Sequence, residues 1–92
     1  MAEIDDAARM AVARGFGRWE ARIRDGLRAM HARGDLPAGA DPEDLALATL
    51  AALQGGLLLA QVQRDTRPLE VALDAMLDRI QALTEAARTE AA

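Results

Sequence analysis

The chain has 92 residues, which is the length of a single domain. Apolar residues make up 51% of it and charged residues 28%, a profile typical of a folded protein, and the absence of cysteine excludes a disulfide framework and a thiolate metal site. The formal net charge of −4 argues against nucleic acid as a direct partner. The first residues lack the basic and apolar regions of a signal peptide, so we expect a cytoplasmic protein.

The first predicted helix covers about residues 4–33. Its apolar residues recur every three or four positions from Ile4 to Met30, which indicates one face of a long amphipathic helix. Gly15 and Gly17 lie in its middle, and we expect them to mark either a bend or a break into two helices. Gly34 suits the position that ends a helix in a left-handed conformation.

Two further helices are predicted over about residues 42–64 and 68–87. Asp41 is a good N-cap for the second helix, and Pro42 suits its first turn. The third helix follows Pro68 and has an apolar seam that resembles a short coiled coil. These patterns predict an all-α fold of three long helices forming one regulatory or dimerisation domain over residues 1–92.

The second helix is apolar around most of its circumference. At 100° per residue, small residues gather on one side and leucines on the other, so a partner must cover it. Its apolar stretch is shorter than the about 18–20 residues that a membrane span needs, so we expect no membrane contact. We expect a homodimer in which the last two helices of each copy form a four-helix bundle; a monomeric three-helix bundle is the alternative.

Several motifs occur together in one order along residues 16–83. They are FGRWE at 16–20, ARGDL at 32–36, DPEDLA at 41–46 and LAALQGGLLLA at 50–60. This ordered set resembles the C-terminal domain of TetR-family transcriptional regulators. The resemblance implies a homodimer built by the last two helices and a pocket for a small hydrophobic effector. The family's N-terminal helix-turn-helix has no counterpart in these residues, so we expect no operator binding by them.

The candidate sites follow from these faces. The predicted pocket wall consists of residues from facing sides of the first two helices, with one amide among them: Phe16, Trp19, Ile23, Leu50, Gln54, Leu57 and Leu58. The predicted dimer interface consists of the small side of the second helix and the seam of the third: Ala48, Ala52, Gly55, Gly56, Leu59, Leu73, Met76, Leu77, Ile80 and Leu83.

Other chemistry has little support in the sequence. His31 is the only histidine and has no cluster of carboxylates near it in sequence, so we predict no metal site and no cofactor. Arg14, Arg18 and Arg22 form a row of like charges, interpreted either as a solvated face or as a site for an anionic ligand. We expect no enzyme. The alternatives are a stand-alone dimerisation module without a ligand and a chorismate-mutase-like enzyme, although the chain contains no lysine for such a site.

Overall fold

The computed structural model describes residues 6–91 of the chain. It contains three helices: α1 (Asp6–Ala32), α2 (Pro42–Gln63) and α3 (Arg67–Ala91). The described residues contain no strand, which confirms the predicted all-α class. The four-helix bundle across a homodimer stays a prediction, and Ile4, the first apolar residue of the predicted first helix, lies outside the described residues.

The helix ends follow local chemistry. After α1, Gly34 has a φ of +82° and its N–H donates to the His31 carbonyl at 3.1 Å, while the Asp35 N–H donates to the Met30 carbonyl at 2.8 Å. This pair of bonds is a Schellman motif, which a glycine adopts without strain. At the start of α2, the Asp41 side chain accepts a hydrogen bond from the Glu43 N–H at 2.9 Å, as predicted for an N-cap.

Two helices differ from the sequence-based expectation, one at its middle and one at its end. α1 is continuous through Gly15 and Gly17, so a break into two helices there was wrong, and a bend stays a prediction. The cost of about 1 kcal/mol for each glycine is small beside the cost of interrupting a helix of 27 residues. α3 continues to Ala91, past the predicted end near Ala87, because the tail is rich in alanine and glutamate, which favour helix.

The three helices form one flat layer. α2 lies between α1 and α3, and the backbones of α1 and α3 are not in contact with each other within the described part of the chain. The layer measures 54 by 29 by 15 Å. One layer of helices cannot enclose a core between two packed surfaces, so much apolar surface stays in contact with solvent.

The small core lies at the end of the layer where α1 turns into α2. Leu27 of α1, Leu36 of the connecting loop and Ala46 of α2 are buried together. Ile80 and Leu83 of α3 pack against this cluster. The loop is therefore part of the core, because Leu36 is only 3% exposed.

Candidate functional site

One side of α2 is entirely apolar and open to solvent. Leu58 is 60% exposed and Val62 72% exposed, and Leu47 at the other end of the helix is 55% exposed. We call this side the outer face of α2; its exposed residues are Leu47, Ala48, Ala51, Gly55, Leu58, Leu59 and Val62. A surface of this kind on a folded chain marks an interaction site.

The opposite sides of α2 are covered within the chain. Ala46 and Leu50 are buried, and Ala46 packs against Leu27 of α1. Gly56 is buried against α3: a Cβ added there would lie 3.0 Å from the Leu69 Cα and 3.2 Å from the Ala72 Cβ. Such distances are shorter than ordinary carbon contacts, so only glycine permits α3 to lie this close.

The predicted dimer interface divides between these two environments. Ala48, Gly55 and Leu59 lie on the outer face of α2. Leu73 and Leu77 of α3 are also exposed. The other residues of the prediction are half-buried or buried, and they are Ala52, Gly56, Met76, Ile80 and Leu83. Whether a second copy contacts any of them stays a prediction.

Two shallow grooves border the outer face along the junction of α2 and α3. One, of about 450 Å³, lies beside Leu59 and reaches Val71 and Ala72 of α3. The other, of about 440 Å³, lies beside Ala48 and reaches Met76 and Leu83. The outer face is therefore bordered by a concave surface near each end of α2.

A separate groove lies between α1 and α2, and we call it the Trp19 groove. It has a volume of about 480 Å³. Its lining residues come from two turns of α1 and one position of α2, and they are Arg18, Trp19, Arg22, Ile23 and Leu53. A volume of this size is within the range of small-molecule sites, which extends from about 300 to 1,000 Å³.

The predicted pocket wall is only partly gathered around this groove. Trp19 and Ile23 line it, and Leu53, which the sequence argument did not select, joins them. The remaining five residues do not line it: Leu50 is buried, Gln54 and Leu57 are half-buried, and Phe16 and Leu58 are exposed. The complete wall of seven residues stays a prediction.

An ionic cluster fixes α1 to the first turn of α2. The Arg28 Nε donates to Glu43 Oε1 at 2.8 Å, and the Arg28 Nη2 donates to the same oxygen. The Arg24 Nε lies 3.5 Å from Glu43 Oε2, where it is removed from solvent without making a hydrogen bond within the described residues. The i, i+4 spacing of the two arginines was a signal for such a cluster, but their partner on another helix was not visible in the sequence.

His31 has a local structural role. Its Nε2 lies 3.2 Å from the Ala38 carbonyl, and the Ala38 N–H donates to Glu90 Oε1 at 3.0 Å. These contacts tie the loop between α1 and α2 to the end of α3. Within residues 6–91 no group of three or more histidine, cysteine, aspartate or glutamate side chains is arranged to hold a metal ion.

α2 also has the length and composition of a membrane-crossing helix. A window of 18 of its 22 residues has a mean hydropathy of 1.7, and only 17% of that window is buried within the chain. The apolar core helix of a soluble protein has the same composition, so this property by itself assigns no membrane. It does show that one copy of the chain leaves most of this window exposed.

A comparison with known families assigns the chain to one of them. The family model described as "Transcriptional regulator LmrA/YxaF-like, C-terminal domain" matches residues 1–75. The chain therefore belongs to this family of TetR-type regulator C-terminal domains, as the order of its motifs predicted. No curated protein and no solved structure matches it.

Proposed function

We propose that this chain is the dimerisation and ligand-sensing domain of a TetR-like transcriptional regulator. The observation that carries the proposal is the outer face of α2, whose seven exposed residues between Leu47 and Val62 are all apolar, with Gln54 and Gln61 at its edge beside Leu58. Two copies related by a two-fold axis would place these faces against each other, and the neighbouring α3 helices would complete a four-helix bundle.

The gain from covering the outer face is large enough to drive association. Full burial of a leucine or valine side chain contributes about 1.5–3 kcal/mol, and Leu47, Leu58 and Val62 each expose more than half of their surface. In an isologous interface both copies bury these residues, so the dimer gains this free energy twice. The two grooves beside Leu59 and Ala48 would receive side chains of the partner, which raises the area buried by each copy.

The ligand-sensing part of the proposal depends on the Trp19 groove. This groove combines an aromatic ring, aliphatic side chains and charged groups around one concave surface, the usual composition of a small-molecule site. If no ligand binds there, the chain would be a dimerisation module alone. We expect neither catalysis nor binding to an operator by these residues, and we expect the dimer to be cytoplasmic.

Sedimentation equilibrium at micromolar concentration without detergent tests the dimer. We expect about twice the monomer mass of 9.8 kDa. The variant Leu58→Glu places a charge on the outer face and should give a monomer, because a buried carboxylate without a partner costs several kcal/mol. Met10→Glu is the matched control, since Met10 is similarly exposed but lies on α1.

The outcomes separate the possible occupants of the outer face. A wild-type monomer, or a Leu58→Glu variant that remains a dimer, would contradict the proposed interface. Binding of the wild-type chain to neutral lipid vesicles in place of self-association would assign the apolar surface of α2 to a membrane.

A further inference from the structure

The Trp19 groove combines apolar surface with two positive charges that have no acidic partner among residues 6–91. From this we infer that the groove binds an organic anion with a flat apolar body. The inference rests on the ligand-sensing part of the proposed function and adds the chemical class of the ligand. Net charge alone would not suggest an anion, because the whole chain carries a formal charge of −4.

The positive edge of the groove is formed by Arg18 and Arg22, which lie one helical turn apart on α1. Neither forms an ion pair with any side chain in residues 6–91, whereas Arg24 and Arg28 on the next turns both pair with Glu43. Two guanidinium groups at i, i+4 repel each other by a few tenths of a kcal/mol. An anion bound between them would remove this repulsion and gain charge-assisted hydrogen bonds.

The apolar part of the groove is formed by the other three lining residues. The indole of Trp19 is 48% exposed, so one part of the ring is available for stacking. Ile23 and Leu53 are half-buried and supply an aliphatic wall from α1 and from α2. Aromatic rings pack favourably in offset or edge-to-face geometry, so a flat ring system suits this surface better than a flexible chain.

The groove is distinct from the outer face of α2. Leu53 and Leu58 are five residues apart, which corresponds to about 140° around a helix. A second copy seated on Leu58 therefore leaves the side of α2 that carries Leu53 uncovered. The proposed anion site remains open in the proposed dimer, and the two can be tested independently.

The test uses three probes that share a naphthalene ring and differ in charge: 2-naphthoate, 2-naphthylmethanol and 2-naphthylmethylammonium. Trp19 is the only tryptophan, so its indole N–H gives a single, site-specific signal in a ¹⁵N-labelled chain. We expect 2-naphthoate to bind about five- to tenfold more tightly than the alcohol, as two solvent-exposed ion pairs would give, and the ammonium probe to bind most weakly.

Charge-removing variants locate the source of this preference. Arg18→Gln combined with Arg22→Gln should reduce the affinity for 2-naphthoate to that of the alcohol and leave the alcohol unchanged. Arg14→Gln is the matched control: it belongs to the same row of arginines but does not line the groove, so it should change 2-naphthoate binding less than about twofold.

Each result decides the inference. Equal affinities for the three probes, or a preference for the ammonium probe, would overturn the anionic class while leaving a ligand site at Trp19. If no probe shifts the indole signal to saturation, both the anionic class and ligand sensing at this groove are wrong, and the dimer proposal stands on its own sedimentation data.

Discussion

Replacing Gly56 with alanine tests the close packing of α2 against α3. The added methyl carbon would lie 3.0 Å from the Leu69 Cα and 3.2 Å from the Ala72 Cβ, whereas carbon atoms prefer about 3.5–4.0 Å. The nearest atom is backbone, so α3 must move away. Overpacking of this kind costs about 1–3 kcal/mol, and the better helix propensity of alanine returns about 1 kcal/mol. We expect a net loss of up to about 2 kcal/mol, in place of the gain that helix propensity alone would give.

Urea unfolding followed by circular dichroism at one protein concentration measures the effect. Gly17→Ala is the control, because Gly17 lies within α1 and a Cβ added there meets no atom within 4 Å. That variant should gain about 1 kcal/mol from helix propensity alone. If Gly56→Ala gains as much as Gly17→Ala, α3 does not lie as close to Gly56 as the distances require.

Two further substitutions test the loop and a helix end. In the same unfolding assay Leu36→Ala should lose about 2–4 kcal/mol of stability, because Leu36 is only 3% exposed and its truncation leaves a cavity. The control Met10→Ala, at an exposed site, should change the stability by less than about 0.5 kcal/mol. Equal losses for the two variants would place Leu36 outside the core. Arg64 ends α2 with a φ of 52°, so Arg64→Gly should raise stability by about 0.5–1 kcal/mol, and a loss would show that the left-handed conformation is absent.

The helices and their ends were readable from the sequence because their signals are local. Asp41 followed by Pro42 predicted the start of α2, and the Asp41 side chain does accept the Glu43 N–H. Gly34 predicted the end of α1, where its positive φ completes a Schellman motif. In each case the residue type satisfies backbone groups within a few positions, and no knowledge of the rest of the fold is needed.

Contacts between residues far apart in the sequence could not be predicted in the same way. Leu36 lies among glycine and proline residues, and nothing in that pattern shows that its side chain enters the core between three segments. Glu43 lies in the first turn of α2, and nothing in the sequence pattern shows that it pairs with Arg28 of α1. The burial of Leu36 and the pairing of Glu43 both depend on how the loop orients α2 against α1. The periodicity of apolar residues does not determine that orientation.

The two apolar sides assigned to α2 from the sequence also required the structure. Gly56 was grouped with Gly55 on the small side, yet Gly56 packs against α3 and Gly55 is exposed. Leu50 and Leu58 were grouped on the leucine side, yet one is buried and the other is exposed. α2 has almost no amphipathic bias, so its sequence alone could not indicate which strips its two neighbours occupy.

The positions of those neighbours explain why one helix offers two different surfaces. Leu50 is buried on one side of α2 and Gly56 packs against α3 on the other, and their separation of six residues corresponds to about 120° around the helix. Leu53 lies midway in this narrow arc and borders the Trp19 groove. Leu58 lies in the remaining arc of about 240°, which contains the outer face and meets α3 along one border, at the grooves beside Ala48 and Leu59. A helix that is apolar all round therefore leaves a narrow strip of ligand size on one side and a strip wide enough for a second copy on the other.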